Sequence, residues 1–281
     1  MQTIAVIGGT GRVGRLLVER LAQQPDHRIV VLGRNEPVAP PASNVAFARV
    51  RSPDDIATAV AEATHVVNCA SLVLNDAIYA GRSARLERAV LVGSTHIHTA
   101  FADDRARMLR AEEERFRRSG VPGVILHASM IYGGGDRNIS RVARLLMRSP
   151  VIPLPYGGRS LIQPIHYADV AVAVEAALFA PEACGEPIVV AGPQPMTIRA
   201  MVEAVAAGIG RRARIVPVPA TLIRAAAALT RVLPGLPGIQ PAQVQRMFED
   251  RAFDISDMRR RLNVAPRPFA VDRSILAHWQ P

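Results

Sequence analysis

The chain has 281 residues, 49% hydrophobic and only 4% aromatic, with a formal net charge of +10. This composition excludes a disordered polypeptide, and with no run of about 18 apolar residues it predicts no membrane span. All 34 Lys-or-Arg positions are arginine, which excludes chemistry that depends on a lysine amine.

The positive charge runs along the whole chain, and no aromatic residues are interleaved with the arginines to stack on bases, so nucleic acid is not an expected partner. A small-molecule substrate, a protein partner, an acidic membrane surface and a homodimer stay open. Cys69 and Cys184 lie in no C-x-x-C pair, which argues against a metal site and against a disulfide framework. No charged leader precedes the first apolar run, and a reducing cytoplasm is the expected compartment.

In chain order the first half alternates short apolar runs with amphipathic helices. Ile4–Ile7 predicts a strand, Arg12–Gln23 a helix with Val13, Leu16, Leu17 and Leu21 on one face, and Ile29–Leu32 and Val45–Val50 two further strands. A helix over Pro53–Ala63 starts with proline, and strands follow at Val66–Cys69, Ala89–Val92 and Gly123–His127. Between the last two lies a helix over Asp103–Ser119, with Glu113–Arg117 and Glu114–Arg118 at i,i+4 and a stop at Gly120. Apolar runs without alternation belong to strands covered on both faces, so the predicted class is α/β, a doubly wound parallel sheet.

Beyond Gly135 the pattern changes. A helix near Ile139–Arg148 leads into a Pro/Gly-rich connection from Pro150 to Gly158; strands at Leu161–Ile165 and Ile188–Ala191 flank a helix over Val170–Phe179. From Pro195 the chain reads as mostly helical, with Ala220–Leu233 its most apolar part. The expected organisation is a dinucleotide-binding domain over 1–194 and a small, mostly helical C-terminal lobe over 195–281, set over the carboxyl ends of the strands.

Gly8-Gly9-Thr10-Gly11-Arg12-Val13-Gly14 follows a strand and opens a helix. In that setting glycines make the tight turn, let backbone N–H groups approach a pyrophosphate, and allow close helix–strand packing. Strand two ends in Gly33-Arg34, where a site for NAD places a carboxylate for the ribose 2′-OH. Arg34, with Arg12, offers instead a bidentate clamp for a 2′-phosphate, which favours NADP(H) over NAD(H).

The glycine motif, Asn68-Cys-Ala-Ser71, Gly93-Ser94-Thr95, Ile125-Leu-His-Ala-Ser-Met-Ile-Tyr-Gly133, Gln163-Pro-Ile-His-Tyr-Ala-Asp169 and Leu262-Asn-Val-Ala-Pro-Arg-Pro come in a familiar order. Together they resemble the short-chain dehydrogenase/reductase superfamily, in its extended and atypical branches, the NAD-dependent epimerase/dehydratase-like and NmrA-like proteins. The resemblance implies a Rossmann fold and a cofactor site of Gly8, Thr10, Gly11, Arg12, Val13, Gly14 and Arg34, with Asn68, Cys69, Ala70 and Ser71 lining the adenosine side. It also implies a catalytic Ser or Thr after strand five, here Ser94 or Thr95, and a Tyr-x-x-x-Lys pair on the next helix. The helix over Asp103–Ser119 has neither Tyr nor Lys; Arg105 and Leu109 fall about where the pair belongs.

Arginine stabilises anions but does not give up its proton. Replacements for the missing acid–base group are His96, His98, His127 and His166, which titrate in the useful range, and Tyr132, expected near the nicotinamide ring. Asp169 reads as a helix-start residue. Two functions follow: an NADP(H)-dependent oxidoreductase or epimerase-like enzyme of atypical mechanism, or a non-catalytic NADP(H)-binding redox sensor or accessory subunit.

Overall fold

The computed structural model describes residues 2–36, 42–101, 103–223 and 248–271. Its first half runs β1 (Gln2–Ile7), α1 (Arg12–Leu21), β2 (His27–Gly33), β3 (Val45–Arg49), α2 (Pro53–Ala61), β4 (His65–Asn68), α3 (Asn75–Ala80), β5 (Arg88–Ser94), α4 (Asp104–Ser119) and β6 (Gly123–Ala128). The second half adds β7 (Ile131–Tyr132), α5 (Arg137–Arg148), β8 (Val151–Pro155), β9 (Leu161–Ile162), β10 (Ile165–His166) and α6 (Tyr167–Phe179). After these come β11 (Ile188–Val190), β12 (Met196–Thr197), α7 (Ile198–Gly208), β13 (Arg214–Val218) and α8 (Ser256–Leu262).

Seven strands form one sheet in the order β3-β2-β1-β4-β5-β6-β11, and every pairing in it is parallel. Both faces are covered. Ile4 and Val6 point with Leu17, Leu21 and the residues of α6 into one core, while Ala5 and Ile7 point with Ile56, Val60, Leu109 and Phe116 into the other. Covering both faces is why the strands read as unbroken apolar runs. Helix α6 packs on the sheet beside α1, and its alanines 171, 173 and 177 are all buried; a helix buried over most of its surface has no polar stripe. An Arg20–Glu175 ion pair ties α1 to α6 at the rim.

The strand order reverses between β1 and β4, and at such a switch point the carboxyl ends of the strands part to leave a crevice. The sequence reading of this half holds to within a residue or two at each strand.

The lobe departs from its expected outline. Val151–Pro155, read as a connection, is a strand that pairs in parallel with β13, Val216 facing Pro153 and Val218 facing Pro155. Proline supplies no ladder N–H, but in a two-stranded ribbon one edge of each strand needs none. The expected strand over Leu161–Ile165 is two bridges, β9 with β12 and β10 with β7, separated by Gln163-Pro164. The lobe core joins Ile139, Ala143 and Leu146 of α5 and Ile152 of β8 to Met201, Val202 and Val205 of α7. A cut at residue 194 therefore divides this core, and the lobe is mixed α/β. Its end returns to the sheet, where Met258 and Leu262 of α8 are buried in the first core. Most of the apolar Ala220–Leu233 segment lies outside the described residues. Among the described residues no helix is long and apolar enough to cross a membrane.

Candidate active site

The dinucleotide cradle is made of backbone. Gly8 has φ +76°, its N–H donates to the Leu32 carbonyl at 2.9 Å, and its own carbonyl accepts from Gly11 N–H at 2.9 Å. A Cβ on Gly14 would lie 2.3 Å from the Gly8 carbonyl oxygen and 2.8 Å from the Gly9 Cα, so only glycine lets α1 start this close to β1. Gly11 at the N-cap offers no side chain to the free N–H groups of α1, and no acidic residue stands in its first turn. A helix end left in that state suits an anion, and the residues present fit a pyrophosphate.

Arg34 is exposed just past β2. On the neighbouring strand Arg49, opposite Gly33, lies 3.4 Å from the carboxylate of Glu36. Arg12 turns the other way: its Nη1 donates to the Gly133 carbonyl at 3.1 Å. In the strand register Arg49 is the arginine beside the end of β2 that carries Arg34.

Asn68 ends β4 with no exposure. Its amide nitrogen donates to the Ser71 carbonyl at 3.1 Å and to Asn75 Oδ1 at 2.8 Å, and its oxygen accepts from Ala70 N–H at 2.9 Å. With both ends of the amide committed, it shapes the 68–71 loop. Cys69, Ala70 and Ser71 do line the crevice. Burial pushes the Cys69 thiol up to about 12, so it stays protonated and inert.

A second cleft of about 370 Å³ adjoins the first and is lined by Ser94, Thr95, His96, His98 and Arg105, with the 249–253 segment as its opposite wall. That wall is fixed by specific bonds. Glu249 accepts from Thr99 Oγ1 at 2.8 Å and Ala100 N–H at 2.7 Å, Asp250 from Leu161 N–H at 2.8 Å, and Gln163 Oε1 from Phe253 N–H at 2.7 Å. The strand-to-helix turn after β5 groups the polar side chains of this cleft. Ser94 caps a 3-10 turn over Thr95–His98, its Oγ accepting from His96 N–H at 3.2 Å. His96 Nε2 lies 2.9 Å from Asp103 Oδ1 and 3.2 Å from Oδ2. Asp103 also caps α4, accepting from Ala106 N–H at 2.8 Å, so its carboxylate is held where it orients the imidazole.

Ser94 and Arg105 line both clefts and so mark where they meet. Arg105 stands apart from its neighbours on α4. Arg107 pairs with Asp104, Arg110 donates to the carbonyls of Ile97 and Thr99, and Arg115, Arg117 and Arg118 pair with carboxylates. Among the described residues Arg105 has no such partner.

Tyr132 belongs to the lobe core. Strand β7 alternates: Ile131 lines the dinucleotide crevice, while Tyr132 faces the lobe core, 1% exposed, with Phe269 and His166 against its ring. Its hydroxyl donates to the Pro268 carbonyl at 3.3 Å. His166 caps α6 through Nδ1, 3.3 Å from Ala168 N–H. Asp169, in the first turn of α6, holds the returning chain, accepting from the backbone N–H and Nε of Arg267 at 2.9 Å each. The sequence reading missed Asp103 as a partner of His96, since an Asp ahead of a helix signals only a cap, and it missed the 249–253 wall, which carries no motif.

Comparison with known proteins agrees with the cradle. Residues 8–144 match the family model described as NAD(P)H-binding. No curated protein matches the chain. Among solved structures, gox2253 superposes with a TM-score of 0.75 at 17% identity over 95% of this chain and 94% of the other. UDP-glucuronic acid 4-epimerase from Bacillus cereus, in complex with UDP-glucuronic acid and NAD, gives 0.71 at 15% identity over 98% and 97%. UDP-N-acetylglucosamine 4-epimerase from the same species gives 0.71 at 14% over 99% of each chain. Residues 8–144 are thus similar to the NAD(P)H-binding family model, and the chain has the fold seen in these epimerase structures.

Proposed function

We propose that this protein is an NADP(H)-dependent oxidoreductase or epimerase-like enzyme acting on a small molecule, with His96 as its acid–base group. The observation that carries the reading is the meeting of two clefts at Ser94 and Arg105 beside an imidazole held by a carboxylate. The dinucleotide, when bound, supplies hydride chemistry. The chain's part is to hold its phosphates on the amides of Gly11–Gly14 and to manage charge at the reacting oxygen. Ser94 Oγ orients that oxygen, Arg105 stabilises negative charge on it, and the imidazole of His96, oriented by Asp103, exchanges the proton. Asp103 favours the imidazolium that results, as a carboxylate does behind any catalytic histidine.

The 2′-phosphate is assigned to Arg34, with Arg49 beside it; Glu36 on the same edge is the feature that would favour NAD. The test is a titration of purified protein with NADPH and NADH, followed by a turnover screen against carbonyl compounds and nucleotide sugars. Arg34→Asp is expected to weaken NADPH by about 10–100-fold, the worth of one or two charge-assisted hydrogen bonds, and NADH by less than about threefold. Equal losses for both would overturn the 2′-phosphate assignment. The second reading, a non-catalytic sensor, is favoured by an α4 with neither tyrosine nor lysine. Tight NADPH binding with no oxidation in the screen would select it.

A further inference from the structure

Arginine is spread along the whole chain, but its counter-charges are not. Residues 137–160 and 195–218 hold nine arginines and a single acidic residue, Glu203, so they carry most of the net charge of +10. Helix α4 shows what a bias toward arginine produces by itself. Its arginines are interleaved with Asp104, Glu112, Glu113 and Glu114, and most of them pair with these or neighbouring carboxylates. Helix α5 carries four arginines and no carboxylate. Arg141, Arg144 and Arg148, at i, i+3 and i+7, share one exposed stripe, while Ile139, Ala143 and Leu146 line the opposite face and are buried in the lobe core.

The stripe leads to one end of the lobe, where α5 and α7 finish and β8 and β13 begin. There the Arg214 N–H donates to the Pro150 carbonyl at 2.7 Å, which fixes the turn after α7, with Arg211, Arg212 and Arg214, beside the last turn of α5. All six of these arginines are exposed. Among the described residues none of the six has an ion pair, and Glu203 is engaged by Arg199 at 3.5 Å. The carbonyl ends of α5 and α7 are equivalent to about half a negative charge each, too little to account for six cations. Set among the arginines are Leu145, Met147 and Val151, large apolar side chains that are 40–48% exposed. Val151 stands opposite Arg214 in the β8–β13 ladder.

We propose that this end of the lobe is a docking surface for an anionic phospholipid membrane. Docking of this kind is independent of turnover. Guanidiniums without counter-ions attract a surface of phosphate groups, each arginine being worth roughly fivefold in affinity near an anionic bilayer. The apolar side chains decide between polyanions. At a bilayer they enter the boundary between headgroups and acyl chains while the arginines keep their heads at the phosphates. A nucleic-acid backbone would reward the arginines but leave leucine, methionine and valine in water, and neither α5 nor residues 211–214 contain an aromatic residue to stack on a base. The association is peripheral: among the described residues no helix is long and apolar enough to cross a membrane.

The test is flotation of the full-length protein with phosphatidylcholine vesicles, with and without phosphatidylglycerol, at low and high salt. The expected result is binding that needs the anionic lipid and weakens as salt rises. Arg141→Gln, Arg144→Gln and Arg148→Gln together should lower the affinity about 100-fold, at roughly fivefold per arginine. Arg107→Gln, Arg117→Gln and Arg118→Gln on α4 remove the same charge from arginines already paired, and should cost less than about threefold. Leu145→Gln with Met147→Gln should weaken binding at least about threefold at either salt concentration. Equal losses for the α4 and α5 variants would reduce the effect to overall charge and overturn the docking face. Failure to float would overturn it as well, and unchanged affinity in the Leu145 and Met147 variant would overturn the assignment to lipid. Binding to duplex DNA or RNA with none to vesicles would give the face to nucleic acid instead. Should the α5 variant melt, Arg211→Gln with Arg212→Gln makes the same test from the neighbouring turn, with an expected loss of about 25-fold.

Discussion

The two adjoining clefts are built by different means. The dinucleotide end is backbone: a positive-φ glycine, a glycine whose Cβ would strike a carbonyl, and a helix terminus left uncapped. The substrate end is side chain: His96, Asp103, Arg105 and the 249–253 wall come from separate segments and meet only in the fold. Steric demands on a backbone turn admit very few sequences. A constellation of side chains can be assembled from many, so the first end falls within the stretch that matches a family model while the 249–253 wall of the second carries no motif.

The sharpest way to break this contrast is Gly14→Ala. The atoms it strikes are main chain and cannot rotate aside, so a loss of stability of about 2–3 kcal/mol, as for overpacking of a tight core, should accompany the loss of NADPH binding. Melting curves and a fluorescence titration would show it, and a variant that binds normally would mean the cradle is softer than its geometry.

The next effect concerns His127, whose folded-state pKa near 4 lies below its ordinary 6.5. Between those values the unfolded chain binds a proton that the folded one refuses. Its contribution is therefore intact above about pH 6.5 and is lost as pH falls toward 4, by up to about 3 kcal/mol. Glu113, raised above its ordinary value, works in the opposite sense, stabilising the fold at low pH and losing that contribution as pH rises through its folded value. Urea melts at neutral pH and near pH 4.5 should show the wild type losing more stability than His127→Gln; parallel losses would argue that the ring is not buried neutral.

The smallest effect sharpens the boundary between the clefts. Arg105→Met should lower turnover by about 10–100-fold, the worth of one charge-assisted hydrogen bond, with NADPH affinity changed less than about threefold. A tenfold loss of NADPH affinity instead would assign Arg105 to the dinucleotide.

Legibility in the sequence follows the same division. The parallel sheet and the glycine cradle could be read from Ile4–Gly14 and the spacing of apolar runs, because burial on both faces and the tight turn each leave a local mark. The surroundings of Asn68 and Tyr132 left no mark in the sequence. Asn68 faces back into its own loop, and Tyr132 faces the lobe because a strand's alternate residues point to opposite sides. The β8–β13 ribbon escaped notice because prolines hide strand character, and the pairing spans some sixty residues. The His96–Asp103 pair was out of reach for another reason: Asp103 satisfies a cap as well as an imidazole, and only the cap has a sequence signature.

The chain's final turn back to the sheet has a practical consequence. Arg261 donates to the carbonyls of Glu182, Ala183, Cys184 and Glu186, and Arg267 grips Asp169, so the last described stretch is stitched to elements laid down some eighty to a hundred residues earlier. The lobe is an excursion whose entry and exit are both anchored in the main body. Cassette exchange, in which a lobe from a relative is grafted behind a conserved amino-terminal half, would sever these anchors. New specificity in such an architecture has to arise by substitution in place.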